Sequence, residues 1–121
     1  MEEVVVEEIV KLLELQDDAQ LKAYLDDLNI SDVEHLIDEL PQHAVKFIET
    51  LSVKRAVNLF RILDFPTQEK IIKKLPGNKL AELINLLPPD HRTSLFSELK
   101  GDVVKKLIIV LPAKHRVKEL S

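Results

Sequence analysis

Leucines recur along this chain at positions 28, 40, 51, 63, 75, 87, 99 and 111, at intervals of 12 residues with a single interval of 11 between Leu40 and Leu51. Each is followed by a break signal or a polar residue: Asn29, Pro41, Ser52, Asp64 with Pro66 beyond it, Pro76, Pro88, Lys100 with Gly101, and Pro112. Self-similarity at a fixed short period marks a repeat array. A repeat scaffold carries no chemistry of its own, so function must lie on its surfaces.

Counted from each leucine, offsets 8 and 9 are apolar in five successive repeats: Leu59-Phe60, Ile71-Ile72, Leu83-Ile84, Leu95-Phe96 and Leu107-Ile108. Offset 5 adds Ala56, Leu80 and Val104 in alternate repeats, with Gln68, Arg92 and Arg116 in the others. Together with the next leucine these positions trace one face of an α-helix. The alternation at offset 5 implies a structural unit of two helices and 24 residues. Each helix then has about nine or ten residues and a length of ~14–15 Å. Helices this short are marginal alone and must be held by neighbours. Proline just after a leucine loses no helical hydrogen bond and forbids continuation of the preceding helix. The spacing predicts ten helices, near 3–15, 18–28, 31–40, 41–51, 52–63, 66–75, 76–87, 88–99, 101–111 and 112–120. Ankyrin, tetratricopeptide and HEAT repeats, at about 33–47 residues, are all too long for this period. The expected fold is all-α: a superhelical solenoid of about ten short helices, forming a single helical-repeat domain over residues 1–121. Solenoids need polar caps, and the next leucine would fall beyond Ser121. The chain therefore reads as a domain cut from a longer protein.

Composition excludes several classes. The absence of cysteine removes disulfides, thiolate zinc sites and thiol catalysis. The longest apolar run, Leu107 to Leu111, is far below the ~20 residues of a membrane span. Met1-Glu2-Glu3 is acidic where a signal peptide would be basic. With Gly77 and Gly101 as the only glycines, there is no Gly-rich phosphate loop and no nucleophile elbow. The serines lack a triad context, Ser52 reads as a helix N-cap, and the chain is not expected to be an enzyme.

Histidine does not assemble a metal site. His91 and His115 share a repeat offset, which places them two helices apart, too far for the ~2 Å bonds of one zinc ion. His35 and His43 straddle the Leu40-Pro41 break. Nucleic-acid binding is not expected either: Phe60 and Phe96 fall on core offsets and leave no stacking platform. Charge is split. Residues 1–40 hold 13 Asp/Glu against Lys11 and Lys22, whereas residues 41–121 hold 8 against 15 Lys/Arg, giving −11 and +7. Such asymmetry marks a partner-facing end, or solvated faces with attraction between the halves.

Carboxylates sit at expected helix ends or exposed faces: Asp17-Asp18, Asp26-Asp27, Asp32, Asp38-Glu39 and Asp90. Oxygen-only sites suit Mg²⁺, which keeps most of its waters and uses one or two carboxylates. Asp in a first turn is equally explained by capping, and the helix dipole there opposes a cation. A lone Asp therefore needs a second acidic surface to hold Mg²⁺.

Four segments, Leu36-Ile37-Asp38-Glu39-Leu40-Pro41, Lys54-Arg55-Ala56-Val57-Asn58-Leu59, Leu75-Pro76-Gly77-Asn78-Lys79-Leu80 and Leu87-Pro88-Pro89-Asp90-His91-Arg92, carry a family resemblance. From about Leu12 onward the chain resembles the N-terminal cytosolic domain of MgtE-type magnesium transporters. The resemblance implies a domain followed by paired CBS domains, a connecting helix and a membrane pore, in a homodimer. It implies a cytosolic Mg²⁺ sensor at the cytoplasmic face of the membrane, in which Mg²⁺ bridges this domain to the CBS domains of the same polypeptide and favours a shut pore. The ion would be shared, and held weakly by this chain alone. Asp90 falls where the family places a magnesium-contacting Asp; a second acidic family position is Asn58 here. The alternative resemblance is to the flagellar motor switch protein FliG, which would make the chain an assembly adaptor without an ion response. A generic helical interaction scaffold comes third.

Overall fold

The computed structural model describes residues 3–110, and among these residues the chain is all-α. The helices are α1 (Glu3–Leu15), α2 (Asp18–Asp27), α3 (Ile30–Glu39), α4 (Ala44–Thr50), α5 (Val53–Ile62), α6 (Phe65–Lys74), α7 (Gly77–Leu86), α8 (Pro89–Glu98) and α9 (Gly101–Val110), with a 3-10 turn, Pro41–His43, leading into α4. They match the helices expected from the leucine period to within two or three residues at each end. The expected tenth helix at 112–120, with Pro112, His115 and Arg116, lies outside the described residues.

The twelve-residue period has a simple construction. Helices α5 to α9 each have 10 residues, and two extended residues form each corner between them. The first corner residue is the periodic leucine, which acts as C-cap. At Leu28, Leu51, Leu63, Leu75, Leu87 and Leu99 φ lies between −62° and −83° and ψ between 139° and 153°. Its backbone N–H still donates to a carbonyl three or four residues back, at 2.8–3.2 Å. The second corner residue is the N-cap of the next helix: Ser52, Asp64, Pro76 and Pro88 fill this role in turn. An extended leucine therefore ends each of these helices, without the left-handed glycine that ends many others.

The interval of 11 has the same logic. Leu40 is both C-cap of α3 and N-cap of the 3-10 turn, so this corner contains one residue instead of two. Its φ of −129° and ψ of 61° depart from the other leucines accordingly. Helix α1 ends differently. Gln16, at φ 55°, is the only non-glycine residue with positive φ among those described, and the N–H groups of Gln16 and Asp17 return to Leu13 and Leu12.

The chain divides into two compact units, residues up to Leu63 and residues from Asp64 onward. In the first unit α1 packs on α2, α2 on α4, α3 on α5 and α4 on α5; in the second α9 packs on α6 and α7. Contact between helices two apart is the register expected of 24-residue hairpins. The buried side chains include Leu59, Phe60, Ile71, Ile72, Leu80, Leu83, Ile84, Leu95 and Leu107, as the offsets require.

Three expected core residues depart from this pattern. Phe96, Val104 and Ile108 are only half-buried. They lie on α8 and α9, which have no helix two places later among the described residues to cover them, and on α9 the neighbouring Val103 turns into the core instead. Arg92, at an offset read as polar, is buried to 7% exposure, its long stem occupying the place of the alternating apolar residue.

Candidate functional site

Asp90 stands in the first turn of α8, one residue after Pro89 and two after the N-cap Pro88. Two consecutive prolines hold this start extended and then helical. The Pro88 carbonyl accepts the Arg92 N–H at 3.1 Å, closing the first turn. Asp90 is exposed while Arg92 on the same turn is buried, so the turn presents its carboxylate outward. Asn58 is likewise exposed, between the buried Val57 and Leu59 of α5. Among the described residues no group of three or more His, Cys, Asp or Glu is arranged to hold a metal ion. Asp90 therefore fits one contribution to a water-rich Mg²⁺ site and does not by itself complete one. The helix dipole at its position works against a bare cation, so any ion there requires carboxylates from elsewhere.

His35 is exposed on α3, and His43 closes the 3-10 turn with its ring 6.3 Å from that of Phe47, tilted by 48°. His91 is exposed beside Asp90 on α8, and His115 lies outside the described residues. The aromatic rings of Phe47 and Phe60 are fully buried.

The remaining acidic residues serve several ends. Asp17 and Asp64 are N-caps: their carboxylates accept the Gln20 N–H at 3.1 Å and the Thr67 N–H at 2.9 Å. The Thr67 hydroxyl and N–H together hold the Asp64 carboxyl below the usual carboxylate range, against a small effect of burial. Ser52 occupies the expected N-cap position, but its side chain makes no capping bond. Its N–H instead donates to Asp26 at 3.3 Å.

Asp26 is the centre of a latch that sequence reasoning did not find. Lys22 Nζ lies 2.6 Å from one of its oxygens and Arg55 Nε 3.6 Å from the other. Burial pushes the Asp26 carboxyl up. The bond from Lys22, the Ser52 N–H and the charges of Lys22 and Arg55 outweigh that and leave it below its ordinary value. Arg55 Nη2 also donates to the carbonyl of Leu25 at 3.1 Å and to that of Leu28. A cation on α5 thus caps the C-terminus of α2, where the dipole is negative. Lys106 does the same in the second unit, with Nζ 2.6 Å from the Lys73 carbonyl and 3.2 Å from that of Leu75, at the end of α6. Burial holds its amine below the usual lysine range. In each unit the cap comes from three helices later, so neighbouring positions in the sequence do not signal it. The available signal was that Arg55 opens a helix, where a cation opposes that helix's own dipole and so must serve another.

Lys46 and Asp18, 2.9 Å apart, form a second pair joining the acidic first forty residues to a later cation. Part of the charge split is therefore neutralised inside the first unit. No helix of the described residues is long and apolar enough to cross a membrane.

The sequence matches the family described as the MgtE intracellular N domain over residues 28–120. No curated protein gives a match.

Proposed function

Because the chain belongs to the MgtE intracellular N domain family, a regulatory N-terminal domain of Mg²⁺ transporters rather than an enzyme family, we propose that it senses Mg²⁺ at a site shared with CBS domains of the same polypeptide and thereby gates the pore. In this reading its 121 residues act as one helical-repeat domain, in a homodimer, on the cytoplasmic side of the membrane. The observation that carries it is the exposed Asp90 at the start of α8, in a chain that belongs to this family and offers no three-ligand cluster among its described residues. Such a surface gives one carboxylate to an ion whose other ligands are water and a facing acidic domain.

Bound there, Mg²⁺ supplies the positive charge that lets two acidic surfaces approach. Asp90 orients its carboxylate toward the facing surface because the Pro88-Pro89 start fixes the turn and Arg92 anchors it in the core. Without the ion, the carboxylates on the two sides repel over a range of ~8 Å at physiological salt. The ion thus biases two states through its differential affinity for them.

The test is protease protection of the segment following residue 121 in the full transporter, titrated with Mg²⁺. Asp90→Ala should move protection to higher Mg²⁺, and Asp90→Asn should move it less, since the amide keeps an oxygen and loses only the charge. Superimposable curves remove Asp90 from the site. A wild type that does not respond to Mg²⁺ refutes the sensor reading and leaves an adaptor role ahead.

A further inference from the structure

The first two helices leave a groove that the ion-sensing reading does not use. On α1, Glu8, Leu12 and Leu15 fall at i, i+4 and i+7; on α2, Gln20, Ala23, Tyr24 and Asp27 fall at i, i+3, i+4 and i+7. Each set lines one helical stripe. Between the stripes lies an open groove of about 590 Å³ whose lining includes Glu8, Leu12, Ala23, Tyr24, Asp27 and Leu28. Its apolar surface comes from Leu12, the half-buried Leu28 and the half-buried ring of Tyr24. One turn beyond Leu12, Leu15 is 65% exposed. Both carboxylates of the lining, Glu8 from α1 and Asp27 from α2, are exposed.

Charge selects the occupant. From Glu3 to Leu28 the chain carries eight carboxylates and two lysines, and Lys22 is already paired with Asp26 at 2.6 Å. A phosphate-bearing or acidic partner would meet Glu8 and Asp27 head-on. A bare cation would find two carboxylates on different helices with an apolar surface between them, and among the described residues no third ligand grouped with them. A helix satisfies both parts of the surface: two packed helices present a groove that accepts the ridge of a third, and an amphipathic helix lays its apolar stripe into such a groove.

We propose that the α1–α2 groove docks an amphipathic helix of a partner whose apolar stripe is flanked by Lys or Arg. Its apolar side chains seat against Leu12, Tyr24 and Leu28, its next turn covers Leu15, and its cations meet Glu8 and Asp27. The proposal is independent of Asp90, which belongs to the other unit, so either can fail without the other.

The test uses the 121-residue chain and a synthetic amphipathic Leu/Lys helix of about four turns, with a Leu/Glu peptide of the same pattern as counterpart. Affinity is measured at ~0.15 M salt, and backbone amide NMR locates the site and confirms that each variant is folded. The expected result is saturable binding of the Leu/Lys peptide alone, with shifts concentrated in residues 8–28. Ala23→Arg, which puts bulk and positive charge into the groove from an exposed helical position, should weaken binding about tenfold or more, a loss of about 1.4 kcal/mol. Glu8→Lys with Asp27→Lys should do the same. The control pair Asp38→Lys with Glu39→Lys makes the same charge change on exposed residues of α3 and should leave affinity within about threefold. An equal loss in the control pair would mean diffuse attraction to an acidic surface. Undiminished binding to Ala23→Arg, equal binding of the Leu/Glu peptide, shifts centred elsewhere, or no saturable binding would each overturn the proposal.

Discussion

Replacing Arg55 by alanine should destabilise the first unit by about 2–3 kcal/mol. The guanidinium donates to two carbonyls at the end of α2 and stands 3.6 Å from Asp26. Charge-assisted bonds contribute about 1.5–3 kcal/mol each when fully buried. These are part-buried and the stranded carbonyls would regain water, so the lower end applies to the pair together. The favourable interaction with the α2 terminus adds roughly 0.3–1 kcal/mol. The Asp26 ion pair adds at most about 1 kcal/mol, because water reaches it. Asp26 itself keeps Lys22 and the Ser52 N–H, so no buried charge is left without a partner. Arg55→Lys should recover about half of the loss, since an ammonium on a shorter reach replaces a fork of donors.

The chain provides its own local probe. Tyr24 is the single tyrosine, there is no tryptophan, and Tyr24 lies on α2. Its fluorescence follows the first unit during urea unfolding, whereas far-UV circular dichroism follows every helix. With a urea slope of about 1–3 kcal/mol per M, Arg55→Ala should lower the Tyr24 midpoint by roughly 0.7–3 M. Lys54→Ala, its exposed neighbour, should leave the midpoint nearly unchanged. Equal shifts for the two variants, or a shift below about 0.3 M for Arg55→Ala, would show that the latch contributes nothing to stability.

Leu83→Ala should cost about 2–5 kcal/mol, because Leu83 is fully buried and its removal opens a cavity in the second unit; calorimetric or denaturant unfolding reads this directly. Gln16→Gly should stabilise the chain by about 0.5–1 kcal/mol, since it relieves a left-handed backbone at some cost in unfolded-state entropy; an unchanged midpoint would place the strain elsewhere. Asp64→Ala should cost about 0.5–2 kcal/mol at neutral pH through loss of the α6 cap. The Asp64 pKa is depressed in the folded chain, so the ionised cap stabilises fully above the unfolded value of ~3.9, and that contribution fades as pH falls through the folded value. The gap between wild type and Asp64→Ala should therefore narrow below about pH 4 in a series of urea titrations.

The helices were legible because one physical device recurs. An apolar face of ten residues, a buried or half-buried leucine and a residue that starts a new helix repeat until the pattern is unmistakable. The period of 12 and its single exception at Leu40 both follow from counting corner residues, two in most places and one before Pro41. What the pattern could not convey was contact between helices far apart in the chain. Arg55 and Lys106 look like ordinary solvated cations in the sequence, yet each caps a helix three elements earlier. Arg92 looked polar and is buried; Phe96 and Ile108 looked like core and are half-covered. Offsets report which face a residue occupies, and burial depends also on whether another helix follows to cover it.

The proposed role of Asp90 rests on family resemblance alone, and there is a physical reason. An Asp in the first turn of a helix has the same sequence signature whether it favours the local dipole or reaches for an ion. Only an opposing surface would distinguish these roles, and in the proposed reading that surface belongs to another domain. The acidic first forty residues present the same difficulty in milder form. Asp18 and Asp26 are engaged by Lys46 and Arg55, which shows that attraction between early carboxylates and later cations is real and local. The first 63 residues still hold 14 Asp/Glu against 6 Lys/Arg, so the region stays acidic. The remaining negative potential around α1 and α2 must be met by solvent ions or by a partner. Salt distinguishes them: a docked basic helix loses affinity steeply as ionic strength rises, whereas solvated faces have no bound state to lose.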